Sequence, residues 1–269
     1  MKIDKYNLYH YFIYLYGFIL LNLVLFIFKN KRPVQNEDIV LYGHKFYGNL
    51  KSLYEILDRN NLNCYFLTLD YKNYKKLKST KVNVIYGLKM SDLIKVIKCK
   101  IFVTDHGTHY FKNLINFNEK IFIDVNHGLP MQKWNEKIMS QWYEFTEVWL
   151  MSNMHKEIYI ETFKYKNKEN LFTTGYGRWD FIKKYNNSTQ KEEIKTNLKM
   201  KYNLSLQKQS VMYAPTWIHN KKLLKNEVMH PKNMEFLKQL NKIAKRLQIE
   251  IIFRPHLNTV FSKKEIKFI

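Results

Sequence analysis

Histidine and arginine recur in this sequence inside short polar clusters, each placed directly after an apolar run. Gly43-His44 follows DIVLY, and Thr104-Asp105-His106-Gly107-Thr108-His109 follows IFV. Asn126-His127-Gly128-Leu129-Pro130 follows IFIDV, Pro215-Thr216-Trp217 follows VMYA, and Arg254-Pro255-His256 follows IIF. An imidazole titrates close to neutrality, so His127 suits a general base. The neighbouring Gly128 lets backbone come close to a ligand. The competing reading of His127 is a side chain that closes a turn through a backbone hydrogen bond. Arg254 and His256 suit an anion, because guanidinium matches phosphate with a planar fork and a neighbouring cation favours neutral imidazole. A plain surface strand end explains the same pair without a ligand. Asp105, His106 and His109 are metal-ligand types, but their spacing fits no metal signature, and neither metal nor cofactor is expected. No GxxxxGK[ST], GxGxxG or GxSxG occurs, so NTPase, dinucleotide-binding and α/β-hydrolase readings lack support.

The clusters need elements to hold them. The apolar runs ahead of them are short and bounded by turn residues, as strands buried on both faces are. Between the runs lie stretches of helical period. Leu50, Leu53, Tyr54 and Leu57 recur on one face, with Asn49 as the expected N-cap. Leu93, Ile94 and Ile97 form another such face, and helices are expected over 153–163, 191–202 and 234–247. Strands alternating with helices predict parallel β-α-β units, whose ligands bind beyond the carboxyl ends of the strands. One topology then accounts for the position of all five clusters.

The chain has 269 residues, enough for one large domain or two ordinary ones. Its 46% hydrophobic and 25% charged residues exclude a disordered chain and a fibre. Two cysteines, Cys64 and Cys99, exclude a disulfide scaffold and a Cys-rich zinc module. The net charge is +22. Lys, Asn, Ile and Tyr are abundant together, as A/T-rich codons would produce, and the lysine runs at 72–81 and 191–201 read as solvated faces. No nucleic-acid motif accompanies the charge, so no nucleic-acid partner is expected.

Leu8–Phe28 holds 21 residues without Lys, Arg, Asp or Glu, the length of a bilayer-spanning helix. Tyr9, Tyr11, Tyr14 and Tyr16 crowd its first half, and Lys29, Lys31 and Arg32 follow it. Two membrane readings compete: a spanning anchor, or a helix lying in the interface. A buried core helix is the third. The basic residues predict the cytoplasmic face of the cell membrane for the rest of the chain. The expected organisation is a membrane-associated helix and linker over 1–34, a Rossmann-like domain over 35–185, and a second, partial Rossmann-like domain over 186–269.

Taken together, several segments resemble one family. Asn126-His127-Gly128 with Pro130 and Lys133 is similar to a strand ending in Trp-His-Gly followed by Pro and Lys. Ser152 and Glu157 match a Ser and Glu near a helix start. Thr174-Gly175-Tyr176-Gly177-Arg178-Trp179-Asp180 resembles Thr-Gly-Tyr-Pro-Arg-x-Asp, and Tyr213-Ala214-Pro215-Thr216-Trp217 resembles Tyr-Ala-Pro-Thr-Trp-Arg. Arg254-Pro255-His256-Leu257 is similar to Arg-x-His-Pro, and Asn49-Leu50-Lys51-Ser52-Leu53-Tyr54 to Asn-Pro-Lys-x-Leu-Tyr. The pattern is that of the CDP-glycerol glycerophosphotransferases of teichoic acid and capsule synthesis. The departures are Asn126 for Trp, Gly177 for Pro, Ile218 for Arg and Leu257 for Pro.

The resemblance implies a GT-B-like α/β fold of two Rossmann-like domains with parallel sheets. It implies transfer of glycerol phosphate, or a related polyol phosphate, from a CDP-linked donor to a lipid-linked or polymer acceptor at an anionic membrane surface. His127 would be the general base. His256 and Arg254 would stabilise charge on the diphosphate, and Gly128, Arg178, Thr216 and Trp217 would shape the substrate site. In the family the second domain continues to an Asp-Tyr-Ser-Ser segment, so the second domain is expected to be incomplete here. Two alternatives share these expectations of fold: a GT-B glycosyltransferase using a nucleotide sugar in capsule or lipopolysaccharide synthesis, and an inactive truncated homologue.

Overall fold

The computed structural model describes residues 8–28, 36–114, 120–128, 145–186, 191–214 and 234–254. The chain divides into two compact units, Met1–Lys184 and Tyr185–Ile269.

The first unit is built on a seven-stranded parallel sheet. Its strands are β1 (Asn36–Tyr42), β2 (Cys64–Thr68), β3 (Val84–Tyr86), β4 (Cys99–Thr104), β5 (Ile121–Asp124), β6 (Glu147–Leu150) and β7 (Leu171–Thr173). They run in the order β3-β2-β1-β4-β5-β6-β7, and each neighbouring pair is parallel. The order reverses between β1 and β4. A doubly wound sheet opens a crevice at such a switch point, beyond the carboxyl ends of the strands.

Helices cover both faces, which is why the strands read as continuous apolar runs. One core holds Val40, Tyr42, Phe102, Phe122 and Val148 with Leu93, Val96 and Ile97 of α4 (Met90–Lys98). The other holds Leu41, Phe66, Val103 and Ile123 with Leu50 and Tyr54 of α2 (Gly48–Arg59). The lysine run at 72–78 is the exposed side of a helix that periodicity missed, α3 (Tyr71–Lys78). Its N-cap is Asp70, whose Oδ1 accepts from the backbone N–H of Lys72 at 2.9 Å and of Asn73 at 3.1 Å. Lys120 is buried and caps α4 from outside: its Nζ donates to the carbonyls of Ile97 and Cys99.

The apolar segment is one helix, α1 (Leu8–Phe28), packed on α4 and on the 3-10 turn His109–Leu114. Ile13, Gly17, Leu21 and Val24 form a single buried stripe, as three- and four-residue spacing requires. Leu21 and Val24 are fully buried in the first core, contributing about 1.5–3 kcal/mol each. At Gly17 a Cβ would lie 2.6 Å from the Tyr110 ring, so the close approach needs glycine. The opposite side exposes Leu8, Phe12, Leu15, Ile19, Phe26 and Ile27.

After β6 the chain forms α5 (Asn153–Glu157), capped by Ser152 Oγ, and continues as a π-helical turn over Ile158–Thr162. α6 (Arg178–Asn186) follows β7; its weak apolar periodicity hid it from sequence reading. The second unit contains α7 (Lys191–Lys201), β8 (Ser210–Tyr213), α8 (Met234–Leu247) and β9 (Glu250–Phe253). β8 and β9 pair in parallel, Ser210 opposite Glu250 and Tyr213 opposite Phe253.

Candidate active site

The switch point gathers three of the five polar clusters, because β1, β4 and β5 are neighbours in the sheet. Gly43-His44 leaves β1, Asp105-His106 leaves β4 and Asn126-His127-Gly128 leaves β5. A Cβ at Gly43 would lie 2.4 Å from Leu50 Cδ1, so β1 exits in close contact with α2. His44 then stands 4.7 Å from His106 and 5.4 Å from His109, measured between ring centres. His109 Nδ1 lies 2.8 Å from the hydroxyl of buried Tyr42. His106 and His127 stack, with ring centres 4.3 Å apart and planes 10° from parallel.

His127 Nδ1 lies 2.8 Å from the backbone oxygen of Asp105. A carbonyl oxygen only accepts, so Nδ1 carries the proton, and neutral imidazole then has its lone pair on Nε2. The turn-closing bond expected of a merely structural histidine is therefore present, and it selects the tautomer a base needs. Burial pushes the His127 pKa below 6.5, with His106 adding to the fall; the Asp105 contacts act the other way. His127 is nonetheless exposed to solvent.

The loop that presents His127 is over-determined. Asn126 adopts a left-handed backbone with φ 49°, a conformation that asparagine tolerates. Its Oδ1 accepts from the N–H of His127 at 2.7 Å and of Gly128 at 3.1 Å, while its Nδ2 donates to Tyr159 Oη at 2.6 Å. The π-helical turn supplies Tyr159; such turns recur at functional sites. Asp124 Oδ1 accepts from the Asn126 N–H at 2.8 Å, and complete burial holds the Asp124 carboxyl well above the usual carboxylate range. Gly128 offers open space rather than a free donor. A Cβ there would meet nothing within 4 Å, and its N–H is already committed to Asn126.

Asn49 ties the loop to Arg178. The N-cap expected there does not form: α2 starts at Gly48 with Tyr47 at its N-cap, and Asn49 lies inside the helix, buried. Its Nδ2 donates to the carbonyls of Asn126 at 2.8 Å and Val125 at 3.3 Å, and its Oδ1 accepts from the Arg178 N–H at 3.4 Å. Arg178 opens α6 with its guanidinium 4.8 Å above the Tyr176 ring. Gly177 beside it faces Ser52 so closely that an added Cβ would lie 3.1 Å away. Two of the four departures from the family pattern thus have local settings: Asn126 caps its own loop, and Gly177 packs tightly against Ser52 of α2.

In the second unit Arg254 directly follows β9, is exposed, and its N–H donates to Tyr213 O at 2.9 Å. Thr216, Trp217 and His256 lie outside the described residues, as do Pro130 and Lys133. Cys64 and Cys99 are buried, and burial pushes both thiols up to about 11, which makes them core residues rather than nucleophiles. Among the described residues no group of three or more His, Cys, Asp or Glu is placed to hold a metal ion.

A doubly wound parallel sheet with histidines at its switch point defines the class, an α/β protein of Rossmann-like design. Residues 24–265 match the family model for CDP-Glycerol:Poly(glycerophosphate) glycerophosphotransferase. The chain belongs to that family. Its fold is similar to the structure of the wall teichoic acid polymerase TagF, with a TM-score of 0.68 and 17% identity over 94% of this chain. A TagF variant soaked with CDPG gives 0.67 and 17% over 89%. The chain spans 66% of the first TagF chain and 61% of the second. A glycosyltransferase from Rickettsia africae ESF-5 is more distant, at TM-score 0.50 and 12% identity over 83% of this chain and 69% of that one. None of the curated protein sequences compared matches.

Proposed function

We propose that this chain transfers glycerol phosphate from CDP-glycerol to a hydroxyl of a lipid-linked or polymeric acceptor in teichoic acid or related polymer synthesis. The observation that carries the proposal is the state of His127. Nδ1 is pinned as a donor on Asp105, Nε2 is left as the lone pair, and the pKa is lowered, so the ring is a neutral base at pH 7. In the step, the acceptor hydroxyl oxygen bonds to the phosphorus that bears glycerol. The bond from that phosphorus to the oxygen of CMP breaks, the hydroxyl proton passes to His127 Nε2, and CMP leaves. Phosphoryl transfer depends on positioning and on stabilising charge. Arg178 supplies charge in the first unit; Arg254 with His256 is assigned to the diphosphate, and Thr216 and Trp217 to the donor. The family match supports the donor, and the chain's length relative to TagF leaves the reaction itself to be measured.

The membrane reading takes the in-plane form. One stripe of α1 is committed to the core while its other side exposes Leu8, Phe12, Leu15 and Ile19. A helix docked this way meets lipid with one face, and a chain of net charge +22 favours anionic headgroups.

One experiment tests both. The full chain is mixed with vesicles of anionic lipid carrying a glycerol-phosphate-ended lipid acceptor. It should sediment with the vesicles and release CMP from CDP-glycerol. Nucleotide release from a nucleotide sugar, with none from CDP-glycerol, overturns the donor in favour of a glycosyltransferase. Activity without sedimentation overturns the membrane reading.

A further inference from the structure

Asp105 anchors two imidazoles at once. Its backbone oxygen accepts from His127 Nδ1 at 2.8 Å, and its carboxylate Oδ1 accepts from His106 Nδ1 at 2.6 Å. Both rings are therefore fastened through the same nitrogen to the same residue, and they stack at 4.3 Å and 10°. Among the described residues neither Nε2 has a hydrogen-bond partner. His106 keeps about a quarter of its side-chain surface exposed, at 24%, while Asp105 beneath it keeps 8%. Asp105 beneath the pair is buried, and the two ring centres stand one stacking distance apart beyond the ends of β4 and β5.

A single attacking hydroxyl engages one base. The second nitrogen needs its own explanation, and acceptor chemistry offers one. A glycerol esterified by phosphate at one end keeps two hydroxyls on adjacent carbons. We propose that His106 and His127 form a two-point receptor for a vicinal diol, in which His127 Nε2 meets the attacking terminal hydroxyl and His106 Nε2 binds the hydroxyl on the next carbon. His106 is then a residue that determines acceptor specificity. This inference rests on the reading of His127 as the base. A site that hydrogen-bonds a hydroxyl discriminates against ligands that lack it. An Asp105 that positioned His127 alone would need only its backbone oxygen, and the carboxylate bond to His106 would have no bearing on the acceptor.

The test uses the full chain on vesicles, with CDP-glycerol and two lipid-linked acceptors. One ends in glycerol phosphate. The other ends in 3-hydroxypropyl phosphate, which has the terminal hydroxyl and lacks its neighbour. Wild type should favour the diol by at least about tenfold in kcat/KM, the worth of one hydrogen bond. In His106→Ala the ratio should fall to about one, through a raised KM for the diol. His106→Gln, which keeps a polar end, should restore part of the preference. Melting temperature reports whether each variant folds. A ratio unchanged in a folded His106→Ala overturns the inference and leaves the base in place. An equal loss on both acceptors does the same, because it assigns His106 to the support of His127. CMP released from neither acceptor by wild type overturns the reading of the site together with this inference.

Discussion

His127 carries at a strand end the features we propose for a base. Asp105 fixes its tautomer, burial lowers its pKa, and Asn126 holds its backbone through two N–H bonds. The groups that face it are His106 and Asp105 from the end of β4 and Arg178 from α6. His106 and Arg178 lower its pKa, and Asp105 raises it. A base acts in its neutral form, so a lowered pKa moves the onset of activity to lower pH. The acid limb of kcat/KM for CMP release should therefore have its midpoint below 6.5, and His106→Ala should move that midpoint upward. A wild-type midpoint at or above 6.5 contradicts this account. The place of His127 at the end of β5 was legible in the sequence, because an apolar run bounded by turn residues marks a buried strand. Its partners were not. Asp105 lies 22 residues away, and only the parallel pairing of β4 with β5 brings the two together.

At the scale of elements, the strands were legible and the irregular supports were not. Apolar runs bounded by turns located β1, β2, β4 and β5, since strands buried on both faces leave that mark. α3 was hidden by its lysines, which occupy the solvent side, and α6 by its lack of an apolar stripe. The π-helical turn that delivers Tyr159 has no signature in spacing. Asn49 matters most here. Read as an N-cap, it proves to be a brace joining α2, the loop after β5 and the start of α6. Asn49→Ala removes two donors from the loop that carries His127 and one acceptor from Arg178. We expect it to lower kcat for CMP release by about 10- to 100-fold, because small misplacements of reacting groups cost that much. The stability cost should be about 1–3 kcal/mol from the unpaired buried carbonyls, read from denaturant unfolding. A kcat within twofold of wild type would show that the loop holds its place without the brace.

At the scale of the whole molecule, α1 shows why hydropathy alone could not separate membrane from core. The same 21 residues carry a stripe packed in the core, flanked by partly buried Tyr14, Leu20, Leu25 and Phe28, and an exposed apolar side. Composition pointed to a membrane, and the glycine at position 17 marked the docked face only once Tyr110 was seen against it. The two-part organisation is written in the second unit as well, where β8 and β9 each lead into a polar segment that sequence reading had singled out. We propose donor recognition for those segments and acceptor activation for the switch point of the first unit. The most direct test separates the two in the intact chain. CDP-glycerol binding and CMP release, in the presence of the lipid acceptor, are measured for wild type and for a folded His127→Ala variant. Loss of a general base lowers rate by about 10²–10⁴, so release should fall by at least about 100-fold while donor affinity stays within threefold. Equal rates of CMP release in the two proteins would contradict the account.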